Sequence, residues 1–176
     1  KGNFFEKQIV EGDFNFDNIK DVLKVYQDTI NPKAVYKVEI ILSRINNLNK
    51  YEVFSTEKAI KPNFPDAETI DDRFFSGEQF DKVEFKDGII SFNCVLQRGY
   101  YTHKYKFQNN SFELISVKRV IGSADYLEDI EYNLITGEIK KKIEEDNKKP
   151  IISLEVHKIS QLPKLGEFVP FKSEFY

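Results

Sequence analysis

The chain has 176 residues, 40% of them hydrophobic and 31% charged, a composition that fits one well-cored domain over 1–176 and excludes a disordered chain or two domains of ordinary size. Its 26 Lys and Arg against 29 Asp and Glu leave a net charge of −3, without the concentrated positive surface that a nucleic-acid binder needs. No run approaches the roughly 18 consecutive apolar residues of a membrane-spanning helix, and 16 Phe with 9 Tyr favour a core built on sheet.

In chain order, the first feature is Asp13-Phe14-Asn15-Phe16-Asp17-Asn18-Ile19-Lys20-Asp21. Side-chain oxygens fall at Asp13, Asn15, Asp17 and Asp21, and Ile19 would add its carbonyl, the alternation by which a short loop wraps a hard cation such as calcium. Asn18 stands where a loop of this type usually turns on Gly, and Asn is the next-best residue for a left-handed conformation. Lys24 stands where the longer helix-flanked calcium loop carries a bidentate Glu, so the match is to a nine-residue loop. The same residues admit an ordinary structural reading. Asp17 could cap a helix whose stripe is Ile19, Val22, Leu23 and Tyr26, or a strand could run from Val22 to Tyr26. Both remain open from the pattern alone.

A hairpin follows over 35–55. Tyr36, Val38, Ile40 and Leu42 alternate with Val35, Lys37, Glu39 and Ile41, Asn46 to Lys50 interrupts, and Tyr51 to Ser55 resumes strand character. Residues 56–80, with Pro62, Pro65 and acidic residues between Asp66 and Asp72, read as a surface loop.

The stretch 82–120 predicts four antiparallel strands. Asp87-Gly88, Arg98-Gly99 and Asn109-Asn110 are turn signals, because Gly and Asn tolerate positive φ. Two-residue loops centred on each give the rows Phe85–Ile90–Phe107–Phe112 and Val83–Phe92–Tyr105–Leu114 on one face. Glu84, Ser91, Asn93, Lys104, Lys106 and Glu113 fall on the other. The same register sets Cys94 opposite His103. A third hairpin runs Ile130, Tyr132, Leu134 into Thr136-Gly137 and back through Ile139, Lys141 and Ile143, pairing Glu131 with Lys142 and Leu134 with Ile139. Lys140 to Lys142 read as the guard of a sheet edge, where lysines discourage pairing with other chains. Residues 144–150 form a solvated turn, and 147–176 hold one more strand over Ile151 to His157 and an extended tail. The expected architecture is mostly β, an antiparallel meander of hairpins, propeller-like or sandwich-like, with little helix.

Gly12 to Leu23 resembles the Gly-Asp-Leu-Asn-x-Asp-Gly-x-x-Asp-hydrophobic opening of FG-GAP-like calcium loops. The order of the pieces that follow, over 11–140, is similar to that of uncharacterised secreted or periplasmic β-proteins of Gram-negative bacteria. The resemblance implies a β-rich fold outside the cytoplasm, with a calcium ion in the loop as cofactor and no established activity. Lys1 is not Met, so a processed chain with its signal peptide removed is the expectation. Cys94 is the only cysteine, which leaves no internal disulfide.

Catalytic inventories are thin. Cys94 beside His103 would open a nucleophilic dyad, yet both share a face with Phe92, Leu96, Tyr101 and Tyr105, where a packed core is the simpler reading. Asp71-Asp72 is one of many acidic neighbours. Glycine-rich phosphate loops and serine elbows are missing from the sequence. The expectation is a non-enzymatic binding domain of the bacterial envelope or exterior, not membrane-spanning, taking a protein or glycan partner through exposed aromatics at Phe74, Phe75 and Tyr100. The alternatives are an inhibitor or immunity protein that blocks a foreign enzyme, and a hydrolase using acidic residues.

Overall fold

The computed structural model describes residues 4–30, 36–43, 51–60 and 80–168, and they form eleven strands and no helix. Strands β1 (Phe4–Gly12), β2 (Asp21–Asp28), β3 (Tyr36–Ser43) and β4 (Tyr51–Thr56) make a four-stranded antiparallel sheet in sequential order. Strands β5 (Phe80–Lys86), β6 (Ile89–Leu96), β7 (Gly99–Gln108), β8 (Ser111–Gly122), β9 (Tyr126–Asn133), β10 (Glu138–Glu145) and β11 (Ile151–Val156) make a seven-stranded one, also a meander. The two sheets stack as an open sandwich, not a closed barrel, so of the two expected forms the sandwich is the one realised.

Alternation explains the packing. Along β3, Tyr36, Val38, Ile40 and Leu42 are buried and the residues between them are not. Along β6 and β7, Ile90, Phe92, Cys94, Tyr101, His103 and Tyr105 point inward. Ring contacts knit the layers. Tyr36 meets Phe80 at 5.5 Å, and Phe54 meets Phe112 edge-on at 5.1 Å. Residues 21–28, open between helix and strand from the pattern, are strand, because Leu23 and Val25 alternate into the core while Val22 and Lys24 face away.

Two turns match expectation. Asp87 and Gly88 have φ of 53° and 75°, and Asn109 and Asn110 have 50° and 56°, the double positive φ of tight hairpins. The middle turn does not. Its loop is Gln97-Arg98, and Leu96 pairs with Gly99. Gly99 lies within β7, where a Cβ would strike the Val120 carbonyl, so this glycine serves close strand approach and not the turn. The β6–β7 register is therefore two residues from the expected one. Ile90 pairs with Tyr105, Phe92 with His103 and Cys94 with Tyr101. A two-residue shift keeps every side chain on its face, so the buried set survives the error. The third hairpin shows the same shift. The Asn133 side chain accepts the Ile135 and Thr136 N–H groups and stabilises a four-residue loop, so Glu131 pairs with Lys140 and Tyr132 with Ile139.

One strand had no signal in the pattern, and the C-terminal tail has a definite seat. Strand β1 was not expected, because the residues it turns inward are Gln8, Val10 and Gly12 while the apolar Phe5 and Ile9 stay exposed. Its Gln8 amide donates to the Val83 carbonyl and accepts from the Val83 N–H, both at 2.7 Å, and so occupies the free edge of β5 as a peptide group would. After β11 the chain turns inward. The His157 N–H donates to the Gly137 carbonyl, the Leu114 N–H to the Pro163 carbonyl and the Leu165 N–H to the Phe112 carbonyl, and Phe168 buries its ring against His103. Strand β11 also covers β10, so Lys140 to Lys142 do not guard a sheet edge as expected.

Candidate functional site

The acidic loop links β1 to β2 and is closed by its own hydrogen bonds. The Asp13 carboxylate accepts the N–H groups of Asp17 at 3.0 Å and Asn18 at 2.8 Å, Asn15 accepts that of Asp17 at 3.2 Å, and Asp17 accepts that of Ile19 at 2.8 Å. Phe16 and Asn18 hold φ near 62° and 64°, so the chain does turn left-handed at Asn18. Asp21 is fully buried, with Oδ2 accepting from Phe14 and Oδ1 from Ser43, both at 2.9 Å. Burial pushes its carboxyl above the usual range, and the two N–H donors offset part of that rise. The loop is anchored to the larger sheet by two rings. Phe14 packs edge-on against Phe85 at 4.8 Å, and the Phe16 ring lies over Gly88, where any Cβ would collide with it.

Tested against a cation, the donor chemistry is that of a hard ion, with carboxylates, an amide oxygen and a backbone carbonyl in sequence. Each Asp21 oxygen spends one lone pair on a backbone N–H and retains another. Among the described residues, however, no three His, Cys, Asp or Glu side chains are grouped so as to hold a metal ion.

Tyr100 lies on the outer face of the seven-stranded sheet and is 43% exposed. Its cross-strand neighbours are Val95 and Val120, which form an apolar row with it. Beside that row opens a shallow groove of about 480 Å³ lined by Arg98, Gly99, Tyr100, Val120, Gly122, Ser123 and Leu127. The sequence singled out Tyr100 but not Val120 or Leu127. Carrying the strand register across β8 to β9 would have found them, because Gly122 pairs with Leu127. Phe74, Phe75, Asp71-Asp72, the acidic stretch 66–72 and the Asn46 to Lys50 segment lie outside the described residues.

Cys94 and His103 are both buried, but they are diagonal and not opposite, since Cys94 faces Tyr101 and His103 faces Phe92. Burial pushes the Cys94 thiol up to about 12, with a hydrogen bond to Tyr101 offsetting part of the rise, and lowers the His103 imidazole to about 3. Both shifts run against a thiolate nucleophile and its base. A charged cluster that sequence reasoning missed sits on the inner face near β10. Glu128 accepts from Arg119 at 2.6 Å, Tyr126 at 3.0 Å and Lys141 at 3.1 Å. Burial alone would raise its carboxyl, but these partners outweigh burial and hold it below the usual carboxylate range. The cluster is satisfied internally, as a structural network would be.

Among the described residues no helix is long and apolar enough to cross a membrane. Comparison with known proteins finds no matching family model, no similar curated protein and no similar solved structure.

Proposed function

We propose that this chain is a non-enzymatic binding domain of the bacterial cell envelope or exterior that recognises a protein or glycan partner through the groove at Tyr100. One observation carries the reading. Tyr100, Val120 and Leu127 line a concave place on an outer sheet face, and Val95 adjoins Tyr100 there, so that one aromatic ring and three aliphatic side chains gather in one exposed patch. The burial and pKa directions of Cys94 and His103 support a binding role over a nucleophilic one. The envelope location rests on the resemblance of the acidic loop and the following strands to secreted β-proteins. The test is capture from a native envelope fraction with the wild-type chain and with Tyr100→Ala combined with Leu127→Ala. The double variant should keep its melting temperature and lose the partner. Equal capture by both proteins refutes the groove, and substrate turnover that disappears in Cys94→Ser refutes the non-enzymatic reading.

In the same proposal the loop holds one structural calcium ion through Asp13, Asn15, Asp17, Asp21 and the Ile19 carbonyl. Left-handed Asn18 and the gathered oxygens support it. Millimolar calcium should raise the melting temperature relative to EDTA, by the equivalent of about 2.7 kcal/mol at a hundredfold excess over Kd. Asp13→Ala and Asp17→Ala should each abolish the rise. Superimposable melting curves in calcium and EDTA leave the loop as a hydrogen-bonded turn without a metal.

A further inference from the structure

The two edges of the seven-stranded sheet are protected unequally. Strand β5 carries a bulge between Phe80 and Lys82, charged residues at Asp81, Lys82, Glu84 and Lys86, and the Gln8 amide on its open backbone. These are the devices that keep an edge from pairing with other chains. Strand β11 has none of them. Its sequence Ile-Ile-Ser-Leu-Glu-Val contains one charge, and Ile152, Leu154 and Val156 are 75%, 60% and 66% exposed on one face. The chain beyond it leaves by the inner face, pinned at His157 to Gly137, so among the described residues nothing pairs the outer edge.

We propose that the β11 edge is a self-association site that pairs antiparallel with β11 of a second copy of this chain, joining two seven-stranded sheets across a twofold axis. Charge selects the occupant and the register. Even-numbered residues of β11 lie on the face of Lys140 and Lys142, and odd-numbered ones on the face of Ile139. A twofold pair must match even with even. Leu154 opposite Val156 of the other copy would set Glu155 against Glu155, and like charges directly opposed are unfavourable. Leu154 opposite Ile152 would set Glu155 against Ile151. Leu154 opposite Leu154 avoids both. It aligns Ile152 with Val156 of the other copy, giving one continuous apolar strip, and sets Ser153 against Glu155. Lys141, the cross-strand neighbour of Ser153, then looks over that small side chain towards the incoming Glu155 in addition to its own Glu128. Main-chain bonds supply the attraction and the alternating side chains the specificity, as in strand addition generally.

Sedimentation equilibrium on the full chain tests the pairing. The apparent mass should rise with concentration from 20.7 kDa towards twice that value. Leu154→Lys should raise the dissociation constant at least tenfold, at an unchanged melting temperature when both chains are measured at dilution, as its exposed position permits. Under mild oxidation Leu154→Cys should form a covalent dimer readily, whereas Ile152→Cys, four residues from its own symmetry mate, should not, and buried Cys94 should give little background. A chain that stays monomeric at every concentration overturns the proposal. So does a dimer indifferent to Leu154→Lys, which would place the contact elsewhere. Equal crosslinking of the two cysteine variants overturns the register.

Discussion

The seven-stranded sheet has two halves that look alike as strands and differ as environments. In β5 to β8 every strand contributes buried residues, because the four-stranded sheet lies across them and Tyr36 and Phe54 reach down onto Phe80, Phe107 and Phe112. In β10 and β11 no residue is buried, although Ile139, Ile143 and Ile151, which share the inner face, are as apolar as those in the covered half. The larger sheet continues past the smaller one. Strand formation is thus a local matter of alternation and turns, whereas burial depends on whether a second layer exists opposite, and the hydrophobic term follows the layer.

The comparison predicts a gradient of mutational cost. Phe112→Ala, in the covered half and packed against Phe54 and Phe107, should lower unfolding free energy by about 3–5 kcal/mol in a urea titration. A loss under about 1 kcal/mol would place the ring at a surface.

The next effect is a pH dependence belonging to the covered half. Burial depresses the His103 imidazole from 6.5 to about 3, so folding excludes a proton that the unfolded chain accepts. Stability from this group is complete above pH 6.5 and should be lost as pH falls from 6.5 towards 3. Melting temperatures measured across that range should fall in the wild type and fall less in His103→Gln. Identical slopes would assign the acid sensitivity elsewhere. Glu128, near the overhang, has the same sign with a lower window. Its depressed carboxyl contributes above the unfolded value of 4.5 and loses that contribution as pH falls through the folded one.

Gln8→Ala tests the brace between the layers. Removing the amide leaves the Val83 N–H and carbonyl without their partner at the edge of β5, at a cost of about 1–2 kcal/mol. Hydrogen exchange at Val83 should accelerate in the variant, and unchanged protection would show that the brace is dispensable. The smallest effect belongs to the overhang. Ile152→Ala should change monomer stability by no more than about 0.5 kcal/mol, the ordinary value for an exposed side chain, when measured at dilution. A larger loss would mean that a layer covers β11 after all.

Much of this was legible in the sequence, and the exceptions have specific causes. Two of the turns that need positive φ, Asp87-Gly88 and Asn109-Asn110, announced themselves by residue type. Gln97-Arg98 needs no positive φ and carried no signal, while neighbouring Gly99 carried a signal for a different requirement, a Cβ-free approach to Val120. Strand β1 escaped because its exposure alternates without a matching hydrophobic period, Gln8, Val10 and Gly12 being half-buried while Phe5 and Ile9 face outward. In the acidic loop the ligand-like spacing was visible, but the use of Asp21 as a buried acceptor for Phe14 and Ser43 was not, since Ser43 is brought there by β3.

The residue pattern dictates the β class, most of the turn-limited strands and which face of those strands is apolar, because a period of two and the φ preferences of Gly and Asn act within a few residues. Only the assembled fold sets, among the described residues, the division into sheets of four and seven strands, the exact partner of Cys94, the Gln8 brace and the unpaired edge at β11. Those depend on which distant surfaces meet, and a register shifted by two residues satisfies the local pattern equally well, so only packing between the layers can choose.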